Sequence, residues 1–107
     1  MKPWFIIVPK IPANAMALFP FILLKNKEQK TDPVLINHER IHLRQQLELL
    51  VFPFYVLYFV NYLINLVRYK NHSRAYFNIV FEKEAYSCHH KAGYLRTRPF
   101  LAWLKYC

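Results

Sequence analysis

The sequence predicts a mainly α-helical fold with a small N-terminal β element, in a single unit covering 1–107. Three observations lead there. Only one of the 107 residues is Gly, which argues against glycine-rich phosphate loops, collagen-like repeats and turn-dense β-sandwiches. Hydrophobic residues make up 55% of the chain and aromatic residues 18%, enough for the core of one domain and too rich for a disordered segment. No glycine-serine linker, internal repeat or low-complexity tract divides the chain.

The elements follow in order. Trp4 to Val8 is a short β-rich apolar run closed by Pro9. Ala15 to Leu24 is a second; Pro20 inside it lacks an N–H, so this run reads as an edge strand, and the polar stretch Lys25 to Thr31 follows. Asp32-Pro33 is a helix start, because Asp accepts from free first-turn N–H groups and Pro costs nothing at the first helical position. The helix runs from Pro33 to about Leu50, with apolar and polar faces. Pro53 should stop or bend it before it resumes through Phe54 to Arg68. Ser73 can cap a further helix from Arg74 to about Lys91, with Gly93 as its left-handed stop, and Pro99 opens a last short helix through Lys105.

Fifteen Lys+Arg against six Asp+Glu give a formal charge of +9, scattered from Lys2 to Lys105 without a dense run. That pattern describes a solvated surface and no specific nucleic-acid site. Two cysteines make no disulfide framework, and Pro9 and Pro12 interrupt the apolar stretch after Lys2, so no signal peptide is read and a cytoplasmic location is expected. Cys88 reads as a small buried side chain.

The sharpest local signal is His38-Glu39-Arg40-Ile41-His42, an HExxH pattern within the first helix. Residues four apart share a helix face, so both imidazoles can reach one divalent ion, with Glu39 beside its open coordination position. A catalytic zinc site needs a third protein ligand. The segment Phe81-Glu82-Lys83-Glu84-Ala85-Tyr86 offers two of the chain's six acidic residues within an apolar stretch.

HERIH on a helix, after an edge strand and about forty residues before Glu-x-Glu-Ala on another helix, resembles the gluzincin metallopeptidases, in particular the minimal catalytic cores of the membrane-linked kinds. The resemblance covers about Ala15 to Tyr86. It implies a minimal zincin-like α+β arrangement, with the HExxH helix and the Glu-bearing helix packed side by side. It also implies a zinc-dependent peptidase acting on a peptide or protein, with His38, His42 and Glu82 as metal ligands, Glu84 as the alternative third ligand, and Glu39 as general base. Gluzincins commonly place Asp four residues after the ligand Glu, to orient a zinc-binding His; here Tyr86 stands there, and a phenol can also accept an imidazole N–H. Tyr86 and Tyr94 are candidate donors to an oxyanion, and the strand around Ala17 to Phe21 could hold an extended peptide by strand addition. The competing reading is a non-catalytic, zinc-binding scaffold with the same ligands.

Leu49 to Val67 is nineteen residues without a charge, long enough to span a bilayer. A simple span would put His42 and Glu82 on opposite faces, so span and metal site exclude each other, and a reversal near Pro53 is expected instead. So small a domain cannot easily cover such a helix, and part of it should press on a membrane surface or a second copy. Met16, Phe19, Phe21, Tyr55, Tyr58 and Tyr62 read as core packing, and His72 as a turn residue. Cys88-His89-His90 is a weak second metal cluster, because adjacent imidazoles diverge on a helix.

Overall fold

Asp32 starts the principal helix as its chemistry requires: its carboxylate accepts from the Leu35 N–H at 3.2 Å, and Pro33 holds the first helical position. The computed structural model describes residues 3–11 and 13–107, so Lys2 and Pro12, invoked above, lie outside the described residues. The chain forms β1 (Trp4–Ile7), β2 (Ala15–Leu18), β3 (Phe21–Leu24), a 3-10 turn (Lys27–Thr31), α1 (Pro33–Leu49) and α2 (Val51–Tyr69). Then come α3 (His72–Phe77), α4 (Val80–Cys88), α5 (Tyr94–Thr97) and a closing 3-10 turn (Ala102–Tyr106). It is mainly helical with a small N-terminal sheet, as the composition predicts.

The run Ala15 to Leu24 is a hairpin and not one edge strand. Pro20 lies in its turn, where the missing N–H costs no ladder bond, and its carbonyl accepts from the Trp4 N–H at 3.2 Å. β3 is central, parallel to β1 and antiparallel to β2, with Met16 opposite Leu23 and Ile6 beside Leu23. The 3-10 turn, read only as a polar stretch, is fixed by a capping box between Asn26 and Gln29. The sheet's buried face, with Ala15, Ala17, Ile22 and Leu24, packs on Leu43 of α1.

The outer edge of β2 is partly closed. Gln46 Oε1 accepts from the Phe19 N–H at 2.7 Å, Gln46 Nε2 donates to the Ala17 carbonyl at 2.9 Å, and the Tyr55 hydroxyl donates to that carbonyl too. One side-chain amide thus stands where a neighbouring strand would pair. Strand addition across Ala17 to Phe21 is therefore blocked at Ala17 and Phe19.

The helix reversal occurs at Leu50, three residues before Pro53. Leu50 takes φ 68° and ψ 156°, a backbone region that non-glycine residues rarely enter. Pro53 instead sits in the first turn of α2, where its lacking N–H removes no helical bond. The single helix expected over Arg74 to Lys91 is two. Asn71, and not Ser73, caps α3 by accepting from the Arg74 N–H at 3.0 Å. The chain then extends at Ile79, and Asn61 of α2 accepts from the Val80 N–H at 2.9 Å, supplying a cap from a neighbouring helix. α4 ends at Cys88; Gly93 is left-handed, φ 76°, but it precedes α5. Pro99 opens no helix, and the last turn starts at Ala102.

Two apolar clusters hold α4 in place. Ile41 of α1 meets Ala85 and Cys88, while Phe54 of α2 meets Ile79 and Phe81 with Tyr58 and Trp103 around them. α4 therefore lies against both α1 and α2, with its polar residues aimed between them.

Candidate metal centre

α1 presents His38 and His42 one turn apart, and α4 presents Glu82 to both. His38 Nε2 lies 3.1 Å and His42 Nε2 3.0 Å from Glu82 Oε1, and all three residues are buried. Their ligand atoms all lie within 4.8 Å of one another. Ligand atoms about 2.1 Å from one tetrahedral ion sit about 3.4 Å apart, so the trio is close to the size of a metal cage. Two imidazoles and a carboxylate are also a donor set that divalent zinc accepts.

Each ligand is held from behind. The Tyr58 hydroxyl donates to Glu82 Oε2 at 2.5 Å. His89 Nδ1 meets His38 Nδ1 at 2.9 Å, and Gln45 Oε1 meets His42 Nδ1 at 2.8 Å. The Gln45 amide can be oriented in only one way: its Nε2 faces the Phe81 carbonyl at 3.1 Å and Glu84 Oε1 at 3.0 Å, both acceptors, so its oxygen must face His42. His42 Nδ1 is consequently a donor, and Nε2 is the nitrogen left to serve a metal.

The same logic fixes the protons when no metal is bound. A carboxylate only accepts, so both Nε2 atoms donate to Glu82. His42 then donates from both nitrogens and is an imidazolium. His38, donating from Nε2 and accepting from His89 at Nδ1, stays neutral. The pKa directions agree. Burial works against the His42 cation, but Glu82, Glu39 and Gln45 outweigh it and raise its pKa to about 9. Burial depresses the pKa of His38, with Glu82 only partly offsetting it. Glu82 itself is desolvated, yet the two imidazoles hold its carboxyl well below the usual range.

A divalent ion must displace the His42 proton. Titration of zinc into the metal-free protein at neutral pH is expected to release about one proton per ion, measured calorimetrically in buffers of different ionisation enthalpy. Affinity should rise about tenfold per pH unit and level off above pH 9. Because the folded pKa of His42 exceeds its ordinary 6.5, its contribution to metal-free stability is complete below pH 6.5 and lost by about pH 9. The metal-free Tm should therefore fall from pH 7 to 9, and zinc should remove that decline.

Glu39 is buried beside the trio and borders two clefts. One, of about 180 Å³, also takes in Ala15, His42, Tyr58 and Glu82; the other, of about 280 Å³, takes in Ala13, His38, Tyr86 and His89. Burial is the main reason the Glu39 carboxyl is pushed up to about 7, with His42 pulling the other way.

Glu84 meets neither imidazole. Residues two apart on a helix point about 200° apart, and Glu84, fully buried, turns away from Glu82, with the Gln45 amide standing between it and His42. There it accepts from Arg98 Nε at 2.5 Å, Arg98 Nη2 at 3.0 Å, Gln45 Nε2 at 3.0 Å and the Tyr94 hydroxyl at 2.8 Å. Arg98 also binds Glu48, by Nη1 at 2.7 Å and Nη2 at 3.0 Å. Tyr94 is thus committed to Glu84 and is no oxyanion donor. Tyr86 does not accept from an imidazole: its ring packs edge-on against His38 with centroids 4.5 Å apart, and its hydroxyl meets that of Tyr76 at 3.3 Å.

Sequence reasoning missed the supporting residues. Gln45 stands three residues after His42 on one helix face, a spacing that could have marked it. His89 lies two turns after Glu82, but it serves His38 and forms no cluster with Cys88, which meets the Tyr106 hydroxyl at 3.7 Å. Tyr58 was read as core packing, yet its hydroxyl secures a ligand. No family model, curated protein or solved structure matches the chain.

Proposed function

We propose that the protein is a zinc-dependent peptidase that hydrolyses peptide bonds, with His38, His42 and Glu82 holding the ion and Glu39 as general base. The observation that carries this reading is the convergence of two imidazole Nε2 atoms on one Glu82 oxygen, with a second buried carboxylate, Glu39, facing the adjoining clefts. Zinc would supply a bound water with its pKa lowered toward ~7 and a Lewis acid for the carbonyl.

The chain's own residues do the rest. Glu39, buried beside the trio and bordering both clefts, is the carboxylate that would take a proton from water and return it to the leaving amine. Gln45 and His89 fix the two imidazole rings, and Tyr58 fixes the carboxylate ligand. Tyr76 lines both clefts, with its hydroxyl against that of Tyr86 at 3.3 Å. A peptide entering the cleft lined by Ala13, Asn14 and Ala15 would pass Glu39.

The test is metal analysis joined to hydrolysis. The purified chain should hold about one zinc ion, and cleavage of a quenched fluorescent peptide library should stop with chelator and return with zinc. A wild-type chain that binds no zinc, or one in which His38→Ala leaves binding unchanged, would remove the proposal.

A further inference from the structure

α2 has two faces along its whole length. Phe54 enters the aromatic core, Tyr58 bonds Glu82, Asn61 caps α4, and Asn65 Nδ2 donates to the Ala75 carbonyl at 3.1 Å. On the opposite side stand Phe52, Val56, Phe59, Leu63 and Val67, all exposed. At 100° per residue these five cover an arc of roughly 80°, widened to roughly 160° by the exposed Leu57, Val60 and Ile64, and the stripe runs about 22 Å from Phe52 to Val67. Its two ends, Phe52 and Val67, are each 78% exposed, and no charged residue lies between them. Monomeric soluble proteins rarely leave a continuous stripe of that size to water.

We infer that this face of α2 seats in the surface of an anionic lipid bilayer, with the helix lying in the interface plane. The charge distribution selects the occupant. Arg68 stands in the last turn of α2, Lys70 just beyond it and Arg74 on α3, all exposed, in a chain of formal charge +9. Anionic headgroups neutralise those cations. The other face rules out a crossing. It is bonded to α3 and α4 from Tyr58 to Asn65, and it packs on α1, which carries Arg40, Arg44 and Glu48 and would follow α2 into hydrocarbon. Depth is therefore limited to the outer stripe, the arrangement of an interfacial amphipathic helix whose polar face is the rest of the protein. The inference stands on α2 alone and is independent of any chemistry at Glu39.

The full chain should be floated with vesicles of phosphatidylcholine, with and without phosphatidylglycerol. Binding is expected to be at least about tenfold stronger on the anionic vesicles, and to weaken in about 1 M salt, where the Debye length is about 3 Å. The double variant Phe59→Glu/Leu63→Glu should lose binding more than about tenfold on both compositions. Arg68→Glu/Lys70→Glu should bind anionic vesicles no better than neutral ones. Far-UV circular dichroism on the same samples checks that each variant is folded. The inference is overturned if the wild type does not float, or if the charge-reversal variant keeps its preference for anionic lipid. A wild-type dimer that the glutamate pair splits without changing flotation overturns it too, because the face would then belong to a second copy.

Discussion

Glu39→Gln is expected to bind zinc within about threefold of the wild type and to hydrolyse peptides about 10²–10⁴-fold more slowly. Glu39 is outside the trio of ligand atoms, so removing its charge leaves the His38, His42 and Glu82 cage complete. The amide keeps the volume of the acid and its place between the two clefts but cannot take a proton at any working pH. Zinc stoichiometry, affinity and initial rates on the same preparation check both halves. Equal rates in wild type and variant, with zinc retained, would identify a metal-stabilised scaffold instead.

Arg98→Ala should destabilise the fold by about 3–5 kcal/mol, read by urea unfolding, and lower Tm by at least about 10 °C. Arg98 is the countercharge of two carboxylates: its side chain is 1% exposed, Glu84 is fully enclosed and Glu48 nearly so. Removing it leaves both acids in low dielectric with no cation between them. Burial works against the Glu84 charge, but Arg98, Gln45 and Tyr94 outweigh it and hold the carboxyl below its ordinary range. Its contribution is therefore present above pH 4.5 and disappears as pH falls below that, so the loss caused by Arg98→Ala should shrink in acid. A triple replacement by apolar residues, Glu48→Leu/Glu84→Leu/Arg98→Met, should recover much of the stability while weakening zinc binding, because Gln45 loses one of the two acceptors that orient it toward His42.

The grouping of His38, His42 and Glu82, which could hold a metal ion, was legible because its information is local. HExxH within a capped helix places His38 and His42 on one face whatever surrounds them, and two carboxylates in an apolar stretch mark the opposing helix. The choice between Glu82 and Glu84 was not local: it depends on Arg98, fourteen residues after Glu84, which turns one acid away from the imidazoles. The reversal at Leu50 carries no breaker residue, so Pro53 attracted an assignment that packing gives to its neighbour. The split between α3 and α4 is sealed by Asn61, a side chain on another helix, and no reading of residues 71–91 by themselves contains it. Gln46 is the same kind of case, an amide that pairs with a strand twenty-seven residues earlier.

The two rims of the sheet have opposite destinies in a crowded solution. On the β2 side, the Gln46 and Tyr55 contacts refuse a foreign strand at Ala17 and Phe19. On the β1 side, Trp4 to Ile7 forms the sheet's other border with all four side chains exposed, and nothing in its composition resists pairing with an identical strand. Polymerisation at high concentration should therefore grow from Trp4–Ile7, and a Lys placed at Ile6 should slow it.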